Sequence, residues 1–503
     1  MVDWPSFFQG LYLIATWKTL VVILLGMWIG LILGVIPGLT GSIGIAIMLP
    51  ITFLMDPVTA LILLTSVYTG GLTGGGITAI LINAPGAPGA IATTFDGYPM
   101  TKKGYQNEAL GLQITSSIIG GFSSYIFLLF FIHPLVRLAL KFGPAEMIFL
   151  TIFVLILIGT IRGRSFSRTL FIGIFGLLLG TIGTSEATGV IRGAMGFDAL
   201  EDGIPRIICI IGMFAIPEML DLITRGFIAD VTIAKSQDIR KLFQGVLATF
   251  QYIKTLIRSA LIGIFIGTLP AAGSTVACLV SYSQAKRAAK PGQHFGEGER
   301  EGVVAAETAN NASEGGAMAI LLALGIPGSG STAILIAAFM LHGLVPGARL
   351  FQDNAPLVYG LISANLIQMI LLGFCALLVA FYLARVVFVP TRILAPALMA
   401  VMAMGAYSVR NLFFDVYLLF FFGILGWFFR RYDFPSTSFI IGFILGKNLD
   451  MDVYRYAALF GSDLMVFIKR PVSAILLILT FITLGVQICR YWKTEGNGNE
   501  ECA

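Results

Sequence analysis

Charge is what this sequence has least of. Of its 503 residues 12% are charged and 57% hydrophobic, where a soluble domain carries roughly 25% charged residues. A chain this long with half that charge has too little polar surface to stay dissolved, so lipid must cover its apolar side chains. Histidine is scarce too: His133, His294 and His342 show no HExxH and no paired metal-ligand spacing. Walker A and GxSxG strings are missing, which disfavours an ATP-driven pump and an intramembrane hydrolase. Five cysteines (Cys209, Cys278, Cys375, Cys489, Cys502) form no CxxC, and four lie in or near apolar segments. They read as small packing residues, not a disulfide framework or zinc site. The formal charge of +5 forms no basic patch interleaved with aromatics, so no nucleic-acid partner is expected. Met1–Gly10 holds Asp3 and no positive n-region; the first helix is expected to be an uncleaved insertion signal.

What is present is apolar length and glycine. Leu412–Phe429, Val472–Ile488, Phe171–Ile182 with its flanks, and Leu357–Phe388 approach or exceed the roughly 20 apolar residues a spanning helix needs. Many of the 58 glycines suit close helix packing, as Gly26, Gly30 and Gly34 do at spacing four. That does not explain glycines bunched with prolines inside apolar runs. Four bunches come as two pairs: Gly34–Ser42 with Gly267–Ser274, and Ile82–Ala90 with Leu324–Thr332. In the second pair each follows a Gly-Gly-x-x-Ala-Ile-Leu string, at Gly75–Leu81 and Gly315–Leu321. Four matches in one order imply an internal duplication.

The polar stretch around Arg225–Gly245 marks the boundary and reads as an amphipathic connecting helix. Basic residues at Arg162, Arg164, Arg168, Arg225–Lys241, Arg430, Arg431, Arg490 and Lys493, with the loop Lys286–Glu301, are placed on the cytoplasmic side by the positive-inside rule. Their asymmetry swaps between the halves, as inverted repeats predict, although Lys18 counts against an outside N-terminus. The expectation is an all-α polytopic integral membrane protein: two inverted structural repeats with discontinuous helices or re-entrant hairpins, and roughly 10–12 spans. The parts are 1–224, first repeat; 225–248, connecting segment; 249–470, second repeat; 471–492, an additional helix; and 493–503, a polar tail.

Backbone that leaves the helix inside a bilayer has unpaired N–H and C=O groups, tolerable only where protein or water covers it. There half-helix N-termini attract an anion and freed carbonyls hold a cation. Candidate substrate-binding residues are therefore Pro37, Gly38, Thr40, Gly41, Ser42, Asn83, Pro85, Gly86, Gly273, Ser274, Thr275, Gly328, Ser329, Ser331 and Thr332. The hydroxyls among them suit either N-capping or donation to a carboxylate. A kinked helix with back-bonded hydroxyls is the alternative. Glu307, Asn310, Asn311 and Glu314 share one helix face at i, i+3, i+4 and i+7. With Asn83, the residues Asn310, Asn311 and Glu307 are the candidate cation ligands; the same stripe also suits the solvated first turns of a helix leaving Lys286–Glu301. Asn365 with Gln368, and Gln113 with Ser116 and Ser117, read as hydrogen-bond glue. Asp96-Gly97-Tyr98-Pro99 reads as a surface turn. No Lys or Arg lies within the four bunches, so helix ends are expected to supply the anion's counter-charge, with Arg258 or another basic residue contributing from nearby.

Gly34–Pro50 and Ile82–Met100 closely resemble the large membrane subunit of tripartite tricarboxylate transporters, the TctA family; the strings around Asn310–Asn311 and Gly325–Thr332 fit as well. Ala271 stands where the first half has Gly38, so strict equivalence of the two motifs is not expected. The resemblance implies a non-enzymatic permease of the bacterial inner membrane. It would work with a small TctB-like membrane subunit and a periplasmic TctC-like solute-binding protein, importing an organic carboxylate such as citrate by symport with a cation, usually Na⁺. It also implies no cofactor beyond a coupling ion, Na⁺ or H⁺, and a transport site built from Gly34–Ser42, Asn83–Gly89 and their second-half counterparts. The rivals are a non-transporting membrane assembly or receptor protein, and a membrane-embedded transferase.

Overall fold

The computed structural model describes residues 2–36, 40–161, 166–224, 238–270, 272–382 and 391–498. Its contacts form two compact units, one of Met1–Arg137 with Ile210–Trp427 and one of Leu138–Cys209 with Phe428–Ala503. Each unit draws on both sequence halves. Among the described residues the architecture is helical, apart from a two-residue antiparallel ribbon pairing Gly183 with Arg192 and Thr184 with Ile191. Helix is what lipid demands, because only intra-segment hydrogen bonds satisfy a lone spanning backbone. Six helices among the described residues are long and apolar enough to cross a bilayer, and five shorter apolar helices accompany them. The chain is an all-α, multi-pass membrane protein.

The first unit opens with α1 (Trp4–Ile14), α2 (Trp17–Val35), α3 (Gly41–Met48) and α4 (Pro57–Ile82). Thr16 caps α2 by accepting from the Thr19 amide, and Asp56 caps α4 by accepting from that of Thr59. Lys18 and Asp56 pair at 2.6 Å, so α2 and α4 start level. Gly30 lies on Val67 and Gly34 on Gly71, hence the two helices run parallel. Gly41 then packs on Tyr68 and Gly71, and Gly44 on Val67, so α3 travels back. Together α2 and α3 form a re-entrant hairpin. Its arms at Gly34 and Gly41 meet Gly71, about 21 Å along α4 at 1.5 Å per residue, less than the roughly 30 Å thickness of a hydrocarbon layer.

After α4, Asn83 takes a left-handed conformation (φ 55°) and ends the helix. The chain folds back so that the Gly86 amide donates to the Gly75 carbonyl at 3.2 Å. It then runs through α5 (Thr93–Lys102) and α6 (Gln106–Ala139). Next come α7 (Pro144–Ile161) and α8 (Phe166–Gly180), which belong to the second unit, α9 (Arg206–Thr224), which begins in it and continues in the first, and α10 (Ile239–Thr249), which belongs to the first. Of the expected connecting helix, residues 225–237 lie outside the described residues; α10 is its visible end, with Gly245 packed on Glu108 of α6.

The arrangement then repeats with α11 (Ile253–Gly267), α12 (Gly273–Arg287), α13 (Arg300–Leu324), α14 (Gly330–Leu341) and α15 (Ala348–Tyr382). Thr255 donates to Glu301 at 2.5 Å, setting the starts of α11 and α13 level. Gly263 lies on Ala309 and Gly267 on Ser313, a parallel pair. Ser281 of α12 donates to the Ala305 carbonyl near the start of α13, so α12 is the returning arm. Left-handed Gly325 (φ 70°) ends α13, and Gly328 packs on Ala317 and on the Gly267 carbonyl. The two central helices are antiparallel: Thr69 meets Glu314, Thr73 meets Asn311, and Gly76 lies beside Glu307. Packing thereby equates Gly75 with Ala317, two residues off the Gly75–Gly315 string match.

Beyond α15 come α16 (Thr391–Arg410), α17 (Phe413–Arg431), α18 (Ser436–Phe460), α19 (Val466–Lys469) and α20 (Pro471–Gly498). In the second unit α8 and α18 pack through Gly173 on Gly442 and Gly180 on Gly446. There the buried Glu146 binds Arg470 at 2.7 Å and accepts from Ser473. One expectation is corrected: Asp96-Gly97-Tyr98-Pro99 is no surface turn but part of α5, with Asp96 buried. Three backbone amides, those of Gly296, Gly298 and Glu299, with the Tyr282 hydroxyl, satisfy its carboxylate. Their pull outweighs the turn propensity of the string.

Candidate functional site

Helix is interrupted around all four glycine–proline bunches. The first interruption separates α2 from α3, with Pro37 and Gly38 themselves outside the described residues. Pro85 lies between α4 and α5, Pro270 between α11 and α12, and Pro327 between α13 and α14. The interruptions meet in pairs. Gly86 is seated against the Gly34 carbonyl and Gly75, and Gly328 against Gly267 and Ala317, with no room for a side chain. Between pairs, Ser42 and Ser331 hydrogen-bond at 2.8 Å, and Tyr68 and Ser329 at 3.3 Å. Gly89 is pressed against Ser274 and the Asn310 amide.

The hydroxyls at these tips divide by role. Ser329 accepts from the Thr332 amide at 3.3 Å and Thr332 from the Ser329 amide at 2.8 Å, a closed capping box on α14. Thr40 makes no side-chain cap to α3, and α12, whose N-cap is Ala272, has none either. Two helix N-termini therefore present amides that no side chain of their own caps. Thr275 offers its carbonyl to Cys278. Gly41 packs on α4, and Gly273 takes φ +60°, the turn that starts α12. Asn83 is exposed, and among the described residues its side chain is not joined to Asn310, Asn311 or Glu307.

Glu307, Asn310, Asn311 and Glu314 are each 0% exposed, so these turns of α13 are not solvated. Glu307 accepts from Thr93 at 2.5 Å, Ser117 at 3.0 Å and Gln113 at 3.4 Å. Asn311 accepts from Thr73 at 3.1 Å and donates to the Glu307 carbonyl. Asn310 faces Glu307, yet among the described residues neither of its amide atoms closes a hydrogen bond, and the Gln113 carbonyl oxygen is unpartnered too. Among the described residues no basic side chain pairs with Glu307 or Glu314. Arg258 sits nine residues before the end of α11, beside Glu301 at 3.9 Å, about 13 Å of helix from the tip. It therefore lies away from the tip, on the side of Glu301. Gln368 bridges to the Ile62 carbonyl and Thr65, whereas Asn365 donates within its own helix.

Sequence reasoning missed Thr69, Thr73 and Thr93, which contact the buried acids and amide. Thr65, Thr69 and Thr73 recur every four residues, a hydroxyl face that was there to be read. Tyr68 and Tyr125 carried no such signal. At the loop end, Phe95, Tyr282, Ser283, Lys286, Arg287 and Gly296 line an open groove of about 630 Å³. At the opposite surface, burial raises the Asp56 carboxyl, but hydrogen bonds from Lys18 and the Thr59 amide outweigh it and pull its pKa down to about 2.

Residues 20–441 match the sequence profile described as "Tripartite tricarboxylate transporter TctA family". An uncharacterized 52.8 kDa protein in the TAR-I ttuC' 3' region of Agrobacterium vitis is 33% identical over 459 residues, covering 90% of this chain and 89% of that protein. An uncharacterized protein in the TAR-II ttuC' 3' region of the same organism is 34% identical over 215 residues, 43% of this chain and 89% of that protein. No solved structure matches.

Proposed function

Because the chain belongs to the tripartite tricarboxylate transporter TctA family, we propose that it is the large permease subunit of a tripartite secondary transporter. In this reading it sits in a bacterial inner membrane with a small membrane subunit and a periplasmic solute-binding protein. It imports an organic carboxylate by cation symport. The two hairpin-bearing halves are inverted repeats, which the antiparallel α4 and α13 support.

The observation that carries the proposal is the unpartnered, fully buried Asn310 amide between tips that arrive from opposite sides. A buried polar group without a partner costs about 1–3 kcal/mol, and a ligand that completes it recovers that loss. The carboxylate meets the uncapped amides of α3 and α12 near Ser42 and Ser274. A cation beside Glu307, Asn310 and Gln113 brings the loaded site closer to neutral, lowering the cost of exposing it to each side in turn. Lys286 and Arg287 at the open groove supply the sign that draws an anion outward from the loop end.

Uptake of radiolabelled citrate and other tricarboxylates into proteoliposomes tests this. Accumulation is expected only with both partner proteins present and an inward Na⁺ or H⁺ gradient. Equal uptake without the binding protein, or none under either gradient with all three components, overturns the reading.

A further inference from the structure

The two buried acids of α13 differ in where their donors fall. Glu307 receives hydrogen bonds on both oxygens, from Thr93 on one and from Ser117 and Gln113 on the other. Glu314 receives both of its bonds on a single oxygen, from Thr69 at 2.6 Å and Tyr125 at 2.8 Å. Its second oxygen is buried and, among the described residues, has no partner. An ionised carboxylate spreads its charge over both oxygens, so half of it would sit here without donor or counter-charge. A neutral carboxylic acid costs less: its carbonyl oxygen takes two donors, and the other oxygen carries the proton, leaving one unpartnered O–H in place of an uncompensated charge.

The groups facing Glu314 offer no alternative neutralisation. Thr69 and Tyr68 come from α4, Tyr125 from α6, and neutral Gln368 from α15 lies 3.5 Å from Thr69. The nearest other charge-bearing group on its own helix is Glu307, two turns away. Among the described residues no basic side chain pairs with it. An uncompensated charge here would cost several kcal/mol.

From this geometry we propose that Glu314 is a proton-binding group, loaded when the site is closed and released when the tips open it to water. Glu307 is the ionised acid that a metal cation accompanies. The purpose of the proton rests on the transport reading; its presence does not.

Infrared difference spectroscopy of the full-length protein in nanodiscs separates the two. Wild type at neutral pH shows the carbonyl stretch of a protonated carboxyl, Glu314→Gln removes it, and Glu307→Gln keeps it. Glu314→Gln retains an acceptor for Thr69 and Tyr125, so the variant folds. A band that survives Glu314→Gln overturns the proposal. So does loss of ²²Na⁺ binding in Glu314→Gln, which would make the pocket a metal-cation site. In the uptake assay, Glu314→Gln flattens the dependence of rate on pH. Failure of uptake in wild type leaves the infrared result standing and counts against the transport reading alone.

Discussion

Gly328→Ala is the sharpest probe of the packed tips. A Cβ at Gly328 would sit 2.7 Å from the Ala317 Cα and 2.8 Å from the Gly267 carbonyl oxygen. Ordinary contact begins at 3.4 Å, so the methyl is 0.6–0.7 Å too close to backbone on two elements. Neither can rotate away as a side chain would. Overpacking of this kind costs about 1–3 kcal/mol. Relief requires the unwound segment to move off the α11–α12 hairpin by about the 0.5 Å that a binding geometry tolerates. Thermal stability in nanodiscs is expected to fall by that amount, and citrate uptake by roughly 10–100-fold, since ~1 Å of misplacement costs about two orders of magnitude. Gly485→Ala, on an open face of α20, is the control: uptake stays, and stability is unchanged or up by about 1 kcal/mol. Wild-type stability in Gly328→Ala would refute the packing; lowered stability with full uptake would refute the tips as the site.

Asn310→Leu removes two buried polar atoms that make no hydrogen bond. Stability should hold or rise by about 1 kcal/mol while uptake is lost; a destabilised variant that still transports would make Asn310 structural. Arg470→Ala strands Glu146, whose side chain is 2% exposed, and should cost about 3–5 kcal/mol in chemical denaturation; a loss under about 1 kcal/mol would show the pair to be solvated. Asp56→Asn tests the lowered carboxyl. A depressed folded pKa contributes stability that is full above the unfolded value of 3.8 and lost as pH falls through about 2. With both partners largely exposed, the loss at pH 7 stays under about 1 kcal/mol. The gap in melting temperature between variant and wild type should close as pH drops from 5 toward 2, and a gap that persists counts against the ion pair.

Sequence alone determined that the chain lives in lipid and where its helices stop. Both are local matters: apolar length dictates burial in a bilayer, Pro removes an N–H donor and clashes with the preceding turn, and the Gly beside it costs the most entropy to hold helical. The polar face of α13 was legible for the same reason, being set by 3.6-residue periodicity. Only the tertiary structure decided what that face meets. Thr69 reaches Glu314 across 245 positions and Thr93 reaches Glu307 across 214. Such register is set by glycine-to-backbone packing between helices distant in sequence. The same packing shifted the repeat match by two residues, buried Glu307 and Glu314, and turned Asp96 from an apparent turn residue into the anchor of a loop. Local rules state where a backbone breaks; which groups the break brings together depends on which surfaces close on one another.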